Sequence, residues 1–405
     1  MSSSTQLVAV AAVAFAAPLL LGLVPRLRVP AVVLEIVAGI VLGPVLHWVH
    51  VDLPIQVLST LGLAFLLFLA GLEIDFDRLK GPALKLAGLG FVASLAIGVA
   101  VGFAIFAAGL VKAPLFLAIT LLATSLGLVV PVLKDAGQSE SRFGQQVIAA
   151  ASLADFGAVI LLSLFFSREA GSPGVKVALL AGFVLSVALL GLTIARAERM
   201  AWLSRALVRL QDTTAQIRVR GAVLLLIGLS ALAARFGVEL LLASFIAGAM
   251  LSIVDRDQMS HPQFQTKLQA LGYGFLIPVF FISSGLQFDL SSLTNPASLA
   301  RVPVFVAALL LVRGLPAAVY LRSVSARQAI GAGLLQATSL PFIVAATQIG
   351  LVLGVIQPST AAALVAAGLV SVIAFPALAL AVTREVNPKP AGSTPRTLAG
   401  DGAPE

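Results

Sequence analysis

Two charged residues lie near the centres of long apolar runs: Asp155 in AAASLADFGAVILLS and Arg313 in VAALLLVRGLPAAV. A charge at the centre of a membrane helix costs about 2.5–3.5 kcal/mol on insertion scales, so a functional or paired role is expected for each. A carboxylate in a partly dry site holds either a proton or a metal cation. Competition between the two for Asp155 predicts cation/proton exchange, with Arg313 as a fixed counter-charge. A purely structural Asp155–Arg313 ion pair is the alternative.

The tetrapeptide ATSL occurs twice, at 123–126 and at 337–340, and each copy falls near the middle of an apolar run. Prolines follow closely, and proline together with Ser and Thr disturbs helical hydrogen bonding. Both islands are therefore predicted to break their helices and to expose backbone oxygens and hydroxyls. Small polar residues placed for close helix packing are the alternative. The predicted ligands of a Na⁺ or K⁺ ion are Asp155, Thr124, Ser125, Leu126, Thr338 and Ser339.

Other polar residues at the ends of the apolar runs are weaker candidates. Glu35 and Gln336 are predicted to lie on an ion access route, and an interfacial position for Glu35 is the equal alternative. Glu73 is predicted to be a solvated helix end. The three histidines fall outside the membrane centre, and the chain has neither Cys nor an HExxH motif. These features disfavour an enzyme, a resident metal site and a cofactor.

The composition indicates which elements position these residues. The chain has 405 residues, 59% of them hydrophobic and 11% charged, against about 45–50% and 25% in soluble domains. The mean hydropathy is +1.06. This predicts an all-α polytopic membrane protein with about 13 transmembrane helices in the lipid bilayer. The predicted spans 1–13 lie near 5–25, 29–47, 54–72, 83–110, 113–133, 143–167, 174–195, 219–236, 238–254, 269–287, 300–321, 326–350 and 358–382.

Basic residues are distributed unevenly between the two sides of the predicted membrane. Twenty Lys and Arg residues follow odd-numbered spans, five follow even-numbered spans, and Arg313 lies inside one. Because Lys and Arg collect in cytoplasmic loops, the N-terminus is predicted outside and the C-terminus in the cytoplasm of a cell (inner) membrane. The net charge of +8 therefore reflects membrane topology and does not indicate a nucleic-acid partner.

Matching segments in the two halves indicate an internal repeat. GLEID at 71–75 and GLQFD at 285–289 are separated by 214 positions, as are the ATSL copies, and EIVAGIVLG at 35–43 precedes SFIAGAMLS by 209. Each offset carries a span onto the seventh span after it. Because seven is an odd number, the second copy enters the membrane from the opposite side and is inverted. Inverted repeats with crossed, discontinuous helices are typical of secondary transporters. The predicted units are a first repeat at 1–170, span 7 with a basic cytoplasmic loop at 171–220, a second repeat at 221–383 and a disordered cytoplasmic tail at 384–405.

Taken together, the motifs resemble the monovalent cation/proton antiporter superfamily, especially its Kef-type and sodium/proton exchanger branch. The resemblance covers about residues 5–382. It implies a homodimer in which a core of spans 4–6 and 11–13 moves against a dimerisation panel. It also implies that Asp155 binds the ion and the proton and that Arg313 is the basic residue of the core. The motifs are ATSLGLVVPVLKDAG, ASLADFGAVILLS, EIVAGIVLGP, FLAGLEIDF, LLLASFIAGAMLS, IPVFFISSGLQFDL, LVRGLP and LLQATSLPFIVAATQIG.

The chain departs from this superfamily at Ala154, where the residue before the aspartate is usually polar. Ala154 removes a possible second proton carrier, which predicts electroneutral exchange. The predicted function is secondary active exchange of Na⁺ or K⁺ for protons by alternating access. Two alternatives remain: a K⁺ efflux channel or uniporter on the same fold, and a proton-coupled transporter of an organic ion, for which Ala154 would leave a roomier site.

Overall fold

The computed structural model describes residues 2–24, 29–73, 81–166, 173–198, 205, 209–210, 213–254, 263–293 and 295–384. These residues form helices and connecting loops, with no strand among them. The longer helices are α1 (Ser3–Leu23), α2 (Ala31–Val45), α3 (Leu53–Leu72), α4 (Gly81–Ala107), α5 (Pro114–Thr120), α6 (Leu126–Asp135), α7 (Arg142–Phe165), α8 (Pro173–Glu198), α9 (Ile217–Arg235), α10 (Leu240–Val254), α11 (Phe264–Leu286), α12 (Arg301–Arg322), α13 (Ala326–Gln336), α14 (Pro341–Val352) and α15 (Pro358–Arg384).

The all-helical membrane architecture is confirmed. Within the described ranges, nine helices or helix pairs are long and apolar enough to cross a membrane, and three shorter apolar helices accompany them. The count of 13 spans and the division into four units stay predictions. Most of the predicted basic loop after α8 and the predicted tail from residue 385 onward lie outside the described residues.

Several helix starts follow directly from capping residues in the sequence. The Ser141 hydroxyl accepts a hydrogen bond from the Gly144 N–H (3.0 Å) and caps α7, the helix that carries Asp155. Ser325 and Gln328 form a reciprocal capping box at the start of α13. Each cap satisfies backbone donors that the first helical turn leaves free. The sequence thereby fixes where both helices begin.

Four glycines bring helices from the two halves into close contact. A Cβ on Gly39 or on Gly285 would clash with the facing backbone, because α2 and α11 cross there. The same holds for Gly71 and Gly248, where α3 and α10 cross. Gly39 and Gly248 are related by the 209-residue offset, and Gly71 and Gly285 by the 214-residue offset. The two crossings are therefore equivalent under the predicted repeat. The inverted orientation of the repeat in a membrane stays a prediction.

A second group of helices surrounds the charged residues. Helix α4 packs against α5, α7 and α12, and α13 packs against α12 and α15. Residues Leu310–Gly314 of α12 form a π-turn that contains Arg313, just before Pro316, which has no N–H to continue the α-helical ladder. π-Turns of this kind are frequent at functional sites. Pro316 thus helps to explain the local distortion at Arg313.

Candidate functional site

Two broken helices meet at the centre of the site. Helix α5 ends at Thr120 and α6 begins at Leu126, while α13 ends at Gln336 and α14 begins at Pro341. The two non-helical connections contact each other, because the Ser125 N–H donates to the Thr338 carbonyl oxygen over 2.9 Å. Both ATSL islands therefore fall at helix breaks, as the sequence predicts. The breaks join the first half of the chain to the second.

Asp155 projects from α7 toward this junction and is half-buried. Its Oδ1 accepts a hydrogen bond from the Thr124 N–H (2.9 Å), and its Oδ2 lies 3.4 Å from the Leu126 N–H. Leu126 opens α6, so the carboxylate faces the unsatisfied donors at a helix N-terminus, a position that favours negative charge. The break in the helix thus supplies two donors to Asp155.

Arg313 lies behind this carboxylate and is 1% exposed. Its Nε and Nη2 donate to the Thr124 hydroxyl oxygen over 3.0 and 2.7 Å, and its Nη1 donates to the Ser94 hydroxyl over 3.1 Å. A longer contact of 3.4 Å joins Nη2 to the Ala150 carbonyl. Among the side chains described, Arg313 and Asp155 form no direct ion pair and are linked through Thr124.

The polar residues of the second break lie away from Asp155. Gln336 is 1% exposed, and its carbonyl oxygen accepts the Thr124 hydroxyl over 2.6 Å. The Thr338 hydroxyl donates to the Leu334 carbonyl of its own helix (3.2 Å). The Ser339 N–H donates to the Ser371 hydroxyl (3.1 Å), and the Ser339 hydroxyl is buried without a hydrogen-bond partner. These predicted site residues support the junction from behind.

A cavity of about 250 Å³ opens in front of Asp155. We call it the carboxylate cavity, because Asp155, Glu35 and Glu73 all line it. Its described lining contains no Lys or Arg, so the three carboxylates give it a field that attracts cations. Thr124, Ser125 and Leu126 border it, whereas Gln336, Thr338 and Ser339 are absent from its lining.

Two residues of the carboxylate cavity were not expected there. Glu73 lines its wall, so the prediction of a solvated helix end was wrong. Tyr273 faces Glu73 across the N-terminal turn of α6: a Cβ on Gly127 would lie 3.2 Å from the Tyr273 hydroxyl and 3.9 Å from Glu73 Oε2. The Glu73 position in the repeated GLEID segment was the available signal. Nothing in the sequence distinguished Tyr273.

A larger cavity of about 580 Å³ lies beyond the carboxylate cavity. We call it the amide cavity, because Gln56, Gln287 and Gln348 line it together with Glu239. The two spaces are separated by apolar side chains, which we call the septum. Its members facing the carboxylate cavity are Leu67, Phe245 and Phe342, and those facing the amide cavity are Leu63, Leu241 and Ile349.

The septum is thin. Leu63 and Leu67 lie one turn apart on α3, as do Leu241 and Phe245 on α10, which corresponds to about 6 Å of helix rise. Two cavities that approach each other across one helical turn, beside a carboxylate at the junction of two broken helices, define a multi-pass membrane transporter.

Comparison with known families also identifies a membrane transporter. A family model described as the transmembrane sodium/hydrogen exchanger matches residues 11–380. The chain therefore belongs to the sodium/hydrogen exchanger family, whose members are transporters and not enzymes. The resemblance to cation/proton antiporters that the motifs indicated is confirmed.

Individual relatives agree with this family. The chain is 31% identical to a putative Na⁺/H⁺ antiporter, YjbQ, of Bacillus subtilis over 92% of its own length and 61% of that protein. It thus spans about three fifths of that relative. It is 28% identical to a Na⁺/H⁺ antiporter of Enterococcus hirae over 89% of this chain and 94% of the relative. The structure of the sodium proton antiporter MjNhaP1 from Methanocaldococcus jannaschii shares the fold, with a TM-score of 0.69, 18% identity, and 95% and 98% of the two chains covered.

Proposed function

We propose that the protein exchanges Na⁺ or K⁺ for protons across the cell membrane, with Asp155 as the group that carries either ion. The observation that carries this proposal is the position of Asp155, at the junction of two broken helices and at the wall of an anionic cavity. A carboxylate held by two backbone N–H groups stays available to a cation or a proton, and it binds only one at a time. The similarity to proteins named Na⁺/H⁺ antiporters favours Na⁺ as the first cation to test.

The ligands of the cation are taken from the described wall of the carboxylate cavity. Asp155 supplies the charge, and the Ser125 hydroxyl supplies a neutral oxygen, because the Ser125 carbonyl already accepts hydrogen bonds from the N–H groups of Leu128 and Val129. The Thr124 hydroxyl is excluded as a ligand, because its hydrogen bonds already use its proton and both lone pairs. Thr338 and Ser339 support the site from behind the cavity and contact no ion directly.

The apolar residue directly before Asp155 in the sequence supports electroneutral exchange. Ala154, the residue before Asp155, is fully buried and does not line the carboxylate cavity. It therefore provides no second proton carrier. For the same reason it does not widen the cavity, which removes the argument for an organic ion. One proton leaves Asp155 for each monovalent cation that binds.

Alternating access is supported by the two cavities and the thin septum. With the predicted orientation, the carboxylate cavity opens toward the cytoplasm and the amide cavity toward the outside. Transport then requires that the group containing α7 and the two broken helices shifts against the helices that cross at the glycines. A homodimer, in which the latter helices form the stationary interface, completes the proposal.

The direct test is exchange in proteoliposomes. A Na⁺ or K⁺ gradient is imposed, and proton movement is followed with a pH-sensitive dye. We expect Asp155→Asn to abolish exchange while the protein remains folded. Asp289→Asn, which alters a half-buried loop carboxylate outside both cavities, is the matched control and keeps exchange. Full activity of Asp155→Asn would refute the proposed mechanism.

The same vesicles separate exchange from a channel. Cation flux that persists at the same rate without any counter-movement of protons would indicate a K⁺ channel or uniporter. Thermal stabilisation measured across Na⁺, K⁺, Li⁺ and organic cations then identifies the substrate, because a ligand that binds the folded state raises its stability.

A further inference from the structure

The hydroxyl group of Thr124 occupies the point where the two halves and the two charges meet. It donates its proton to the Gln336 carbonyl oxygen (2.6 Å) and accepts the Nε and Nη2 groups of Arg313 (3.0 and 2.7 Å). A hydroxyl has one proton and two lone pairs. All of its hydrogen-bonding capacity is therefore used, and two of the bonds involve a buried guanidinium, which makes them strong.

The main chain of the same residue holds the carboxylate. The Thr124 N–H donates to Asp155 Oδ1 over 2.9 Å. Thr124 is fully buried, so water does not replace these contacts easily. One residue thus contacts both the carboxylate and the guanidinium and lies between the two charges.

We propose that Thr124 is a positioning residue: its hydroxyl fixes Arg313 at a set distance from Asp155 and thereby sets how strongly Asp155 prefers a proton over a cation. This inference rests on the proposed function. It follows because charge interactions are strong in a site that excludes water, so a small displacement of the guanidinium changes the balance. Among the described residues, the hydrogen bonds left to Arg313 without this hydroxyl are those to the Ser94 hydroxyl and, at longer distance, the Ala150 carbonyl, beside its electrostatic interaction with Tyr320.

The corresponding threonine in the second ATSL copy shows that the arrangement is specific. Thr338 lies 214 positions later, and its hydroxyl donates to the Leu334 carbonyl of its own helix over 3.2 Å. It contacts neither charge. The repeat supplies two equivalent threonines, and only Thr124 has been placed between the charged residues.

Other charged and titratable groups also face Asp155 and must stay constant in a test. They are Arg313 on α12, Glu73 at the end of α3, Glu35 on α2 and Tyr273 on α11. Helices α5, α6, α10 and α14 add none to the described cavity wall. Substitution of Thr124 leaves all of these groups in the chain, so a change in pH dependence reports the position of Arg313.

The test is the pH profile of exchange for Thr124→Val, Thr124→Ser and Thr120→Val. Valine keeps the shape of threonine and removes the hydroxyl. A guanidinium that is no longer fixed stabilises the carboxylate less, so the pH of half-maximal exchange is expected to rise by about one unit and the apparent cation KM at constant pH to rise about tenfold. Thr124→Ser keeps the hydroxyl and is expected to restore the parental profile.

Thr120→Val is the matched control. Thr120 is fully buried on α5, and its hydroxyl donates only to the Phe116 carbonyl of the same helix (2.8 Å). The control should leave both the profile and KM unchanged. If Thr124→Val does not fold, Thr124→Cys takes its place, because a thiol is too weak an acceptor to hold the guanidinium.

Two results would overturn the inference: a Thr124→Val or Thr124→Cys profile identical to that of Thr120→Val, or a Thr124→Ser profile shifted as far as the valine one. Na⁺-dependent thermal stabilisation, measured over the same pH range, gives a readout independent of transport and should shift in parallel. Absence of exchange in the parent protein would refute the proposed function itself. A normal parent with an unshifted Thr124→Val refutes only the role of Thr124.

Discussion

From the thin septum we predict that truncation of one of its side chains uncouples cation movement from proton movement. Phe245 is 1% exposed, its ring centroid lies 5.8 Å from that of Phe156, and it borders the carboxylate cavity one turn from Leu241 at the amide cavity. Phe245→Ala removes the ring at a point where the residues lining the two cavities are about 6 Å apart along α10. Truncation of a core phenylalanine costs about 3–5 kcal/mol and leaves a void. Here the void joins spaces of about 250 and 580 Å³, so we expect a continuous path for cations.

The assay is tracer Na⁺ flux into proteoliposomes without a pH gradient, measured beside exchange. We expect Phe245→Ala to conduct cations without counter-movement of protons, while the parent does not. Phe183→Ala is the matched control: Phe183 is equally buried, packs against Phe236 (6.2 Å) and borders neither cavity. Phe183→Ala should lose a similar amount of stability and show no cation flux without proton counter-movement. A folded Phe245→Ala protein whose cation flux equals that of Phe183→Ala would refute the septum as the barrier.

Three further predictions concern stability. Gly248→Ala forces α3 and α10 apart and should lower the free energy of unfolding by about 1–3 kcal/mol. The control is Gly228→Ala, which has open space around it and should not lower the free energy of unfolding. Thermal unfolding in detergent compares the two variants. Ser371→Ala removes the acceptor of the Ser339 N–H, which costs about 1–3 kcal/mol for a buried donor in the same measurement. Hydrogen bonds from nearby serine hydroxyls hold the pKa of Asp289 below its usual value of 3.8. These hydrogen bonds stabilise the folded loop at pH values above 3.8. The stabilisation is lost as the pH falls through the lower pKa that Asp289 has in the folded state. Hydrogen exchange of the loop amides should therefore become faster only in strong acid.

The sequence identified the charged centre because a membrane makes charge conspicuous. Asp155 and Arg313 each interrupt an apolar run, and the repeated ATSL tetrapeptide marked the breaks beside them. All three features depend on local composition, which is visible without a structure. The helix caps at Ser141 and Ser325 are local for the same reason.

The features that the sequence did not reveal depend on packing between distant segments. Glu73 ends an apolar helix, and such a residue faces water or a cavity according to what packs against it. Tyr273 and the three acidic residues meet because α2, α3, α7 and α11 all contribute to the wall of the carboxylate cavity. The Thr124 hydroxyl was expected to bind a cation, whereas Arg313 and Gln336 occupy it. Hydrogen-bond capacity is a property of the assembled site.

The glycine crossings impose an order on the assembly of the protein. Gly39 closes against Gly285, and Gly71 closes against Gly248, so each contact joins residues made early with residues made much later. Neither half of the chain contains both partners of a crossing. Helices α2 and α3 therefore wait in the bilayer, with their small-residue faces uncovered, until α10 and α11 have been synthesised and inserted. Contacts so distant in sequence are slow to form, so the small-residue faces of α2 and α3 are open to wrong partners until the second half has been inserted.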